Sequence, residues 1–498
     1  PDACSAPASN VAGPRLRVVA TNDFHGRLQP ERPSWSAGRP VGGAAALAAY
    51  FDCERSGFGG ATILLDGGDV MQGTPISNLT EGRSAVDYYN AVGYAAAAIG
   101  NHELDWGVDV LRQRMAQAEF AWLAANLVVT GTDTTPSWVE SVRLVTVEPG
   151  LDVGVIGLIT EETRTATRPS TIAGLDFLAG AAVIDRWVPE LRRQGAEFVA
   201  VVAHAGVDCD DSGCAGELID WARTARERPD IIVGGHTSYR GSLSVNGIPV
   251  VQTGSYGTSY GVVDLARVAP DSTLSASRLV TPFADAITPD AAVAALVERY
   301  VAEIGSVVNR PVTTLAEPIP RSGLASAMGP LIADAMRAAT GADIAIMNAG
   351  GVRAGLDAGP VTWSDLHLVQ PFGNQLVVLR LTGAQLRETI EFVLAGDRPN
   401  AHVSGLHAVY DADRPPGQRL LTLTLADDRD IRNDADYDVV VNDFMAEGGD
   451  GFGMLQRTRS RSNTGVVDLD ALVDYLESLP RPVRFRAEPR LRPITPAG

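Results

Sequence analysis

Apolar and polar positions alternate along this chain in short blocks. LRVVA at 16–20, ATILLD at 61–66, AAAAI at 95–99, FVAVVA at 198–203 and DIIV at 230–233 are continuous, mainly apolar runs bounded by Gly, Asn or Asp. Runs of this kind predict buried strands. Between them lie Ala-rich stretches with helical spacing, such as GGAAALAAYFDCER at 42–55 and VDVLRQRMAQAEF at 108–120. Strand and helix signals that alternate in this way predict α/β layers from residue 16 to about 285. Two further strand-rich stretches follow at 242–256 and 261–268, the first holding an Asn-Gly hairpin signal within VNGI.

The pattern then changes. Thr-Pro-Asp at 288–290 precedes AAVAALVERYVAEIGSVV, where Asp290 is placed to cap a helix. A helix between two differently patterned halves reads as a connection. The predicted organisation is a tail at 1–15, a first domain at 16–287, a linker helix at 288–308 and a second domain at 309–498. In the second domain, 328–340 reads as a helix, 342–353 as strand then loop, 376–395 as strand then helix, and 436–452 as a strand entering a Gly-rich loop. Residues 480–498, rich in Pro and Arg, read as extended.

The polar residues that follow the first-half strands carry the chemistry. They are Asp23 and His25, Asp69 after two glycines, Asn101-His102-Glu103-Leu104-Asp105, His204 and His236. Loops at strand ends are where catalytic groups collect. Asp, His and Asn together suit Mn, Zn, Fe or Co better than Ca. Asp23 and His25, two residues apart at a strand end, point to one side. Asp69 has two carboxylate oxygens with which to bridge two ions, and is preferred to Asp66, which still lies within its strand. His102 is a group to act on substrate, with Asp105 orienting its ring. Glu103 reads as a solvated or capping side chain. Four of the seven histidines fall in these segments; His367, His402 and His407 lack acidic partners and read as structural or surface residues.

The formal charge of −19, from 60 acidic and 41 basic residues, argues against a nucleic-acid polymer as partner. There is no lysine, so an anionic substrate must be met by metal and Arg charge. No apolar run approaches the roughly 18–20 residues of a membrane span. The chain starts at Pro1 without a Met or a secretory apolar segment, so any export signal is not within it. Four cysteines without a CxxC favour disulfides, with Cys209–Cys214 closing a small loop and Cys4 pinning the tail near Cys53. An extracytoplasmic location follows from that reading.

The five first-half segments together resemble the calcineurin-like metallophosphoesterases, and more narrowly the 5′-nucleotidase family, over nearly the whole chain. The resemblance implies a four-layer α/β phosphoesterase sandwich joined by a helix to a mixed α/β substrate-binding domain. It implies two divalent ions, one held by Asp23, His25 and Asp69, the other by Asp69, Asn101, His204 and His236, with His102 and Asp105 as the catalytic dyad. The family often adds a ligand two positions after its last histidine; here that position is Ser238, a weak neutral donor.

The second half resembles the family's substrate side. Asn348-Ala-Gly-Gly351-Val-Arg353 matches its Asn-x-Gly-Gly-x-Arg segment, whose Arg suits bidentate phosphate contact. Pro371-Phe372-Gly373-Asn374 matches a segment with a stacking aromatic and a base-reading amide. Gly448-Gly449-Asp450-Gly451-Phe452 matches the segment of a second aromatic, so Phe372 and Phe452 are expected to sandwich a base. Thr458 stands where the family has an acidic ribose contact, and Arg321 takes the place of its further Arg. The implied reaction is dimetal hydrolysis of nucleoside 5′-monophosphates. The alternatives are a 2′,3′-cyclic-nucleotide phosphodiesterase and 3′-nucleotidase, a nucleotide-sugar pyrophosphatase, and a non-catalytic metal-stabilised surface binder. With metal and base sites in different domains, rotation about the 288–308 helix would carry substrate to metal. The oligomeric state is left open.

Overall fold

The structure is a computed structural model that describes residues 13–210, 213–269, 272–321 and 327–494. The chain forms two compact units. The first runs to Ile304 apart from Arg168–Ser170; the second takes that short segment and continues from Gly305.

In the first unit the apolar runs form the middles of two six-stranded sheets. The order of one is Ser272–Val280, Tyr260–Ala269, Arg15–Thr21, Ala61–Asp66, Ala96–Ala98, Ala121–Leu123. The other is Arg240–Val245, Ile248–Thr253, Ile231–Gly234, Phe198–His204, Leu151–Ile159, Val142–Glu148. The four strands from Arg15–Thr21 to Ala121–Leu123 are parallel, and so are Leu151–Ile159, Phe198–His204, Ile231–Gly234 and Ile248–Thr253. Parallel strands are covered on both faces, hence their unbroken apolar sequences. Side chains alternate: Val18, Ala20, Ile63 and Leu65 meet Val153, Val155, Phe198, Ala200 and Val202 between the sheets. On the outer face of the second sheet, Val199, Val201 and Ala203 pack with Ile184, Val188, Leu191, Leu218 and Trp221 of the helices Gly180–Arg193 and Glu217–Thr224. Helix Ala44–Ser56 packs against Ala61–Asp66. These are the four layers, helix–sheet–sheet–helix. Asn246 and Gly247 form the expected hairpin turn, both with positive φ, 51° and 82°.

The expected linker is a helix at Ala291–Val308, with the Asp290 carboxylate accepting from Val293 N at 2.8 Å, and the division between units falls within it. The second unit holds a five-stranded mixed sheet ordered Ala401–Ser404, Ile344–Asn348, Asp436–Asn442, Gln375–Thr382, Arg461–Val467. One core joins Leu331, Ile332 and Met336 of helix Met328–Thr340 to Leu472 and Leu476 of helix Asp468–Ser478. The other joins Leu386 and Ile390 of helix Gly383–Val393 to Val377, Leu379 and Val439. Cys209 and Cys214, paired across a small hairpin, form the expected disulfide. The Cys4–Cys53 pairing and most of the 1–15 tail lie outside the described residues. Among the described residues no helix is long and apolar enough to cross a membrane.

Candidate metal centre

The predicted ligands stand just beyond the carboxyl ends of parallel strands. Asp23 and His25 follow Arg15–Thr21, Asp69 follows Ala61–Asp66, Asn101 follows Ala96–Ala98, His204 ends Phe198–His204, and His236 follows Ile231–Gly234. Four of them have left-handed backbone: Asp23 (φ 50°), His25 (51°), Asp69 (58°) and His236 (75°). That conformation costs a non-glycine residue about 1–3 kcal/mol and persists only where the surroundings impose it. Here cross-loop hydrogen bonds impose it, Asp23 N to Gly68 O at 2.9 Å and His25 N to Asp69 O at 3.0 Å. Gly68, at φ 94°, lies so close to His204 that an added Cβ would sit 2.9 Å from that ring's Nδ1.

The side chains converge. Ligand atoms of Asp23, His25 and Asp69, all buried, lie within 4.8 Å of one another. Asp69 Oδ2 is central, 3.1 Å from His204 Nε2, 3.8 Å from His25 Nε2 and 4.0 Å from His102 Nε2. Asn101 Oδ1 lies 3.1 Å from both His204 Nε2 and His236 Nδ1. Donors at about 2.0–2.2 Å from one ion stand roughly 3–3.5 Å apart, so the 3.1 Å contacts linking Asp69, His204, Asn101 and His236 fit a shared cation, while the Asp23, His25 and Asp69 donors stand somewhat wider. The ring tautomers agree. His25 Nδ1 donates to Gln72 O (2.6 Å) and His204 Nδ1 to Gly67 O (3.0 Å), since a carbonyl only accepts. Each Nε2 is thereby turned toward the carboxylates, the side on which metal-ligating histidines meet their ion. Asp23, Asp69, Asn101, His204 and His236 thus come together with His25 in two overlapping groups that meet at Asp69.

Electrostatics point the same way. Burial, together with the neighbouring Asp69 charge, pushes Asp23 up to about 7 against the pull of His204. Burial would also raise Asp69, but the His204, His102 and His25 rings outweigh it and hold that carboxyl well below its ordinary range. Burial would lower His204, and Asp69 reverses this to reach about 10. A buried carboxylate held ionised by three neighbouring rings is suited to meet a cation.

His102 stands beside this set with Nδ1 2.7 Å from Asp105 Oδ2. Ser238 is exposed and makes none of these contacts, so the structure does not bring it into the donor set. Asp66 is turned inward, accepting from Thr21 Oγ1 (2.6 Å), Tyr89 OH (2.9 Å) and Gly68 N (2.8 Å).

In the second unit the expected substrate residues are only partly assembled. The Arg353 guanidinium lies 5.6 Å from the centre of the half-buried Phe372 ring. Arg321 is exposed, just past the Ile319–Leu356 bridge, which brings it beside the Arg353 loop. Asn348 is buried, donating to Asp450 Oδ2 at 2.6 Å and accepting from Asn442 at 2.9 Å. Gly351, also buried, packs against the Asn348 side chain. Two expectations are corrected. Phe452 is 0% exposed, its ring edge-on to Phe392 at 4.9 Å within the core, so it offers no face to a base. Asn374 is 6% exposed with its side chain bonded to Asp468, so its amide is already engaged. Thr458 Oγ1 donates to Ser460 O at 2.8 Å. His367 is buried and stacked on Trp363 at 5.0 Å.

Residues 16–239 match the family model described as calcineurin-like phosphoesterase, and residues 311–457 match the 5′-nucleotidase C-terminal domain. The chain belongs to the 5′-nucleotidase family. It is 30% identical over 504 residues to "Endonuclease YhcR" of Bacillus subtilis, covering 96% of this chain and 41% of that protein. It is 26% identical to a Vibrio parahaemolyticus 5′-nucleotidase, covering 93% and 89% of the two chains. The solved 5′-nucleotidase precursor of Thermus thermophilus superposes with a TM-score of 0.84 at 28% identity, covering 96% and 99%. The chain spans less than half the length of the Bacillus relative.

Within this 5′-nucleotidase-family centre, sequence reasoning misjudged Glu103. It is not solvated but fully buried. Its carboxylate accepts from Gly100 N (2.8 Å), Asp69 N (2.9 Å), Val70 N (2.9 Å) and Met71 N (3.1 Å), tying the loop of Asp69 to that of Asn101 and His102. Burial and the Asp69 charge push it up to about 8, with Gly100 N–H opposing. Asn22 was also missed. Its amide donates to Asp23 Oδ2 and to Gly254 O, both at 2.6 Å, and its oxygen accepts from Thr253 N at 2.7 Å. Adjacency to Asp23 was the available signal.

Proposed function

We propose that this protein is a metal-dependent phosphoric ester hydrolase that cleaves nucleoside 5′-monophosphates to nucleoside and phosphate. The observation that carries the reading is the convergence of Asp23, His25, Asp69, Asn101, His204 and His236 around Asp69 Oδ2, with the His102–Asp105 pair beside it. Asp23, His25 and Asp69 would hold one divalent ion, and Asp69, Asn101, His204 and His236 a second, of Zn, Mn, Co or Fe type. Bound there, the ions supply Lewis acidity toward a phosphoryl group and an activated water. Asp105 accepts from His102 Nδ1 and favours the protonated ring, so Nε2, on the Asp69 side, donates to a phosphoryl or leaving oxygen. His102 N–H donates to Asp69 Oδ1 at 3.0 Å, so the acid and the central carboxylate are held as one piece. No covalent phosphoenzyme is required.

Arg353 with Phe372, and Arg321 nearby, are proposed to recognise the nucleotide through charge and a ring face; Asn348 and Gly351 support that loop. We take 16–287 as the phosphoesterase domain and 309–498 as the nucleotide-binding domain. The Cys209–Cys214 disulfide supports an extracytoplasmic setting. A second reading is phosphodiester cleavage, favoured by the Bacillus relative named an endonuclease. A hydrolysis panel of nucleoside monophosphates, cyclic nucleotides and nucleotide sugars, run with each metal after chelation, tests both. Release of phosphate from 5′-monophosphates, abolished by chelator and restored by metal, is expected. Activity indifferent to chelator would overturn the metal reading.

A further inference from the structure

A sixth strand-end loop reaches the metal centre. Leu151–Ile159 is parallel to Phe198–His204 in register, with Ile159 opposite His204, so the residues after it emerge at the same edge as the ligands. That segment, Thr160 to Thr167, with a short helical turn at Thr163–Ala166, is firmly seated. Thr160, Thr163 and Thr167 are fully buried. Glu161 N donates to Glu217 Oε1 at 2.9 Å, Glu162 N to Thr160 Oγ1 at 3.1 Å and Thr163 Oγ1 to Thr160 O at 2.8 Å. Two of its side chains touch the donor set from outside. Thr167 Oγ1 donates to the backbone carbonyl of Asn101 at 3.1 Å, and Glu162 Oε2 lies 3.0 Å from His236 Nε2.

The ring geometry gives this contact its meaning. His25 and His204 each spend Nδ1 on a backbone carbonyl and turn Nε2 inward. His236 is reversed, with Nδ1 toward Asn101 Oδ1 and Nε2 outward. Among the described contacts of His236 its outward partner is a carboxylate rather than a carbonyl, and it comes from a loop that no ligand motif includes. We infer that Glu162 is a positioning residue of the metal centre. It accepts the Nε2 proton of His236, which leaves Nδ1 as the atom a bound cation would take, and with Thr167 it aligns the Asn101–His204–His236 half of the site. This rests on the metal reading above for its consequence, but the Glu162–His236 contact itself does not.

The Glu162 side chain is 71% exposed, so its removal leaves no buried group unpaired and should not unsettle the fold. The test uses the whole chain with Glu162→Gln, Glu162→Ala and Glu162→Asp. In metal-free protein, nitrogen NMR of labelled histidine should show the Nε2 proton of wild-type His236 protected from exchange with solvent, and Glu162→Ala should lose that protection. Competition between the protein and a chromophoric chelator for Co(II) should then show one of two sites weakened about ten- to hundredfold in Glu162→Ala and Glu162→Gln, the other unchanged, with partial recovery in Glu162→Asp. Metal-free melting temperatures should match wild type. A wild-type His236 without a protected Nε2 proton, or Co(II) affinities in Glu162→Ala equal to wild type, would overturn the inference. If wild type took up no metal while protection of the Nε2 proton depended on Glu162, the function reading alone would fall.

Discussion

Replacing Glu103 by Gln is the sharpest test of how this site is held together. The two carboxylate oxygens divide their work: Oε2 accepts from Gly100 N and Asp69 N, Oε1 from Val70 N and Met71 N. A glutamine keeps one such oxygen and turns an NH2 group toward the other two donors. Two buried backbone N–H groups then lose their acceptor, at about 1–3 kcal/mol each, so the first unit should lose about 2–6 kcal/mol. For a unit of this size each kcal/mol moves the melting temperature by about 2–4 °C, giving a fall of roughly 4–24 °C. Alanine leaves all four donors unpaired and should cost more. The measurement is thermal unfolding followed by circular dichroism, first with chelator and then with Mn(II). The chelator series isolates the scaffold; the metal series reports whether Asp69 and Asn101 still meet. Glu103→Gln should melt lower in both and gain less from metal than wild type. A variant melting within about 2 °C of wild type, with the same gain from metal, would refute the claim that Glu103 organises the two loops.

Asp69→Asn and His102→Ala should each lower turnover by several orders of magnitude while leaving the circular dichroism spectrum intact; near-wild-type rates in both would end the dimetal assignment. Arg353→Ala should raise KM for nucleoside monophosphates more than it lowers kcat, by about 1.5–3 kcal/mol of lost charged hydrogen bonding. Unchanged KM in steady-state kinetics would remove it from recognition. Acid should weaken the second unit. Burial holds His367 at about 4 against an ordinary 6.5, and His402 likewise. Between those values the unfolded chain binds the proton and the folded one does not, so their contribution is complete above pH 6.5 and is lost as pH falls toward 4. The loss is at most about 3 kcal/mol for each histidine. His367→Phe, which keeps the ring against Trp363, should flatten melting temperature against pH over that range; an unchanged slope would contradict the burial argument.

What could be read from the sequence follows from the kind of force involved. Strand interiors were legible because parallel strands covered on both faces need unbroken apolar runs, and LRVVA and FVAVVA supply them. The candidate ligands were legible because a strand that ends in a polar residue of ligand type, such as His204, leaves that residue at the sheet edge. Helix Met328–Thr340 was read to the residue, since its apolar face repeats at helical spacing. Glu103 was not, because its partners are main-chain N–H groups of residues 69–71, and main-chain donors leave no mark on side-chain identity.

Phe452 failed for a related reason. Its motif says that a loop is present, but the path of that loop depends on Asp450 taking left-handed φ (52°) and on Phe392 waiting in the core, neither of which is a local property. Glu162 lay between. The run VGVIGLI at 153–159 reads as a strand as clearly as LRVVA or FVAVVA, and an acidic residue follows it closely. Sequence alone does not single it out, because it ligates nothing and acts only through His236. Residues that bind are chosen by their own chemistry and can be found from it. Residues that position are chosen by a neighbour's ring or backbone, and become visible only when the fold has brought that neighbour within about 3 Å.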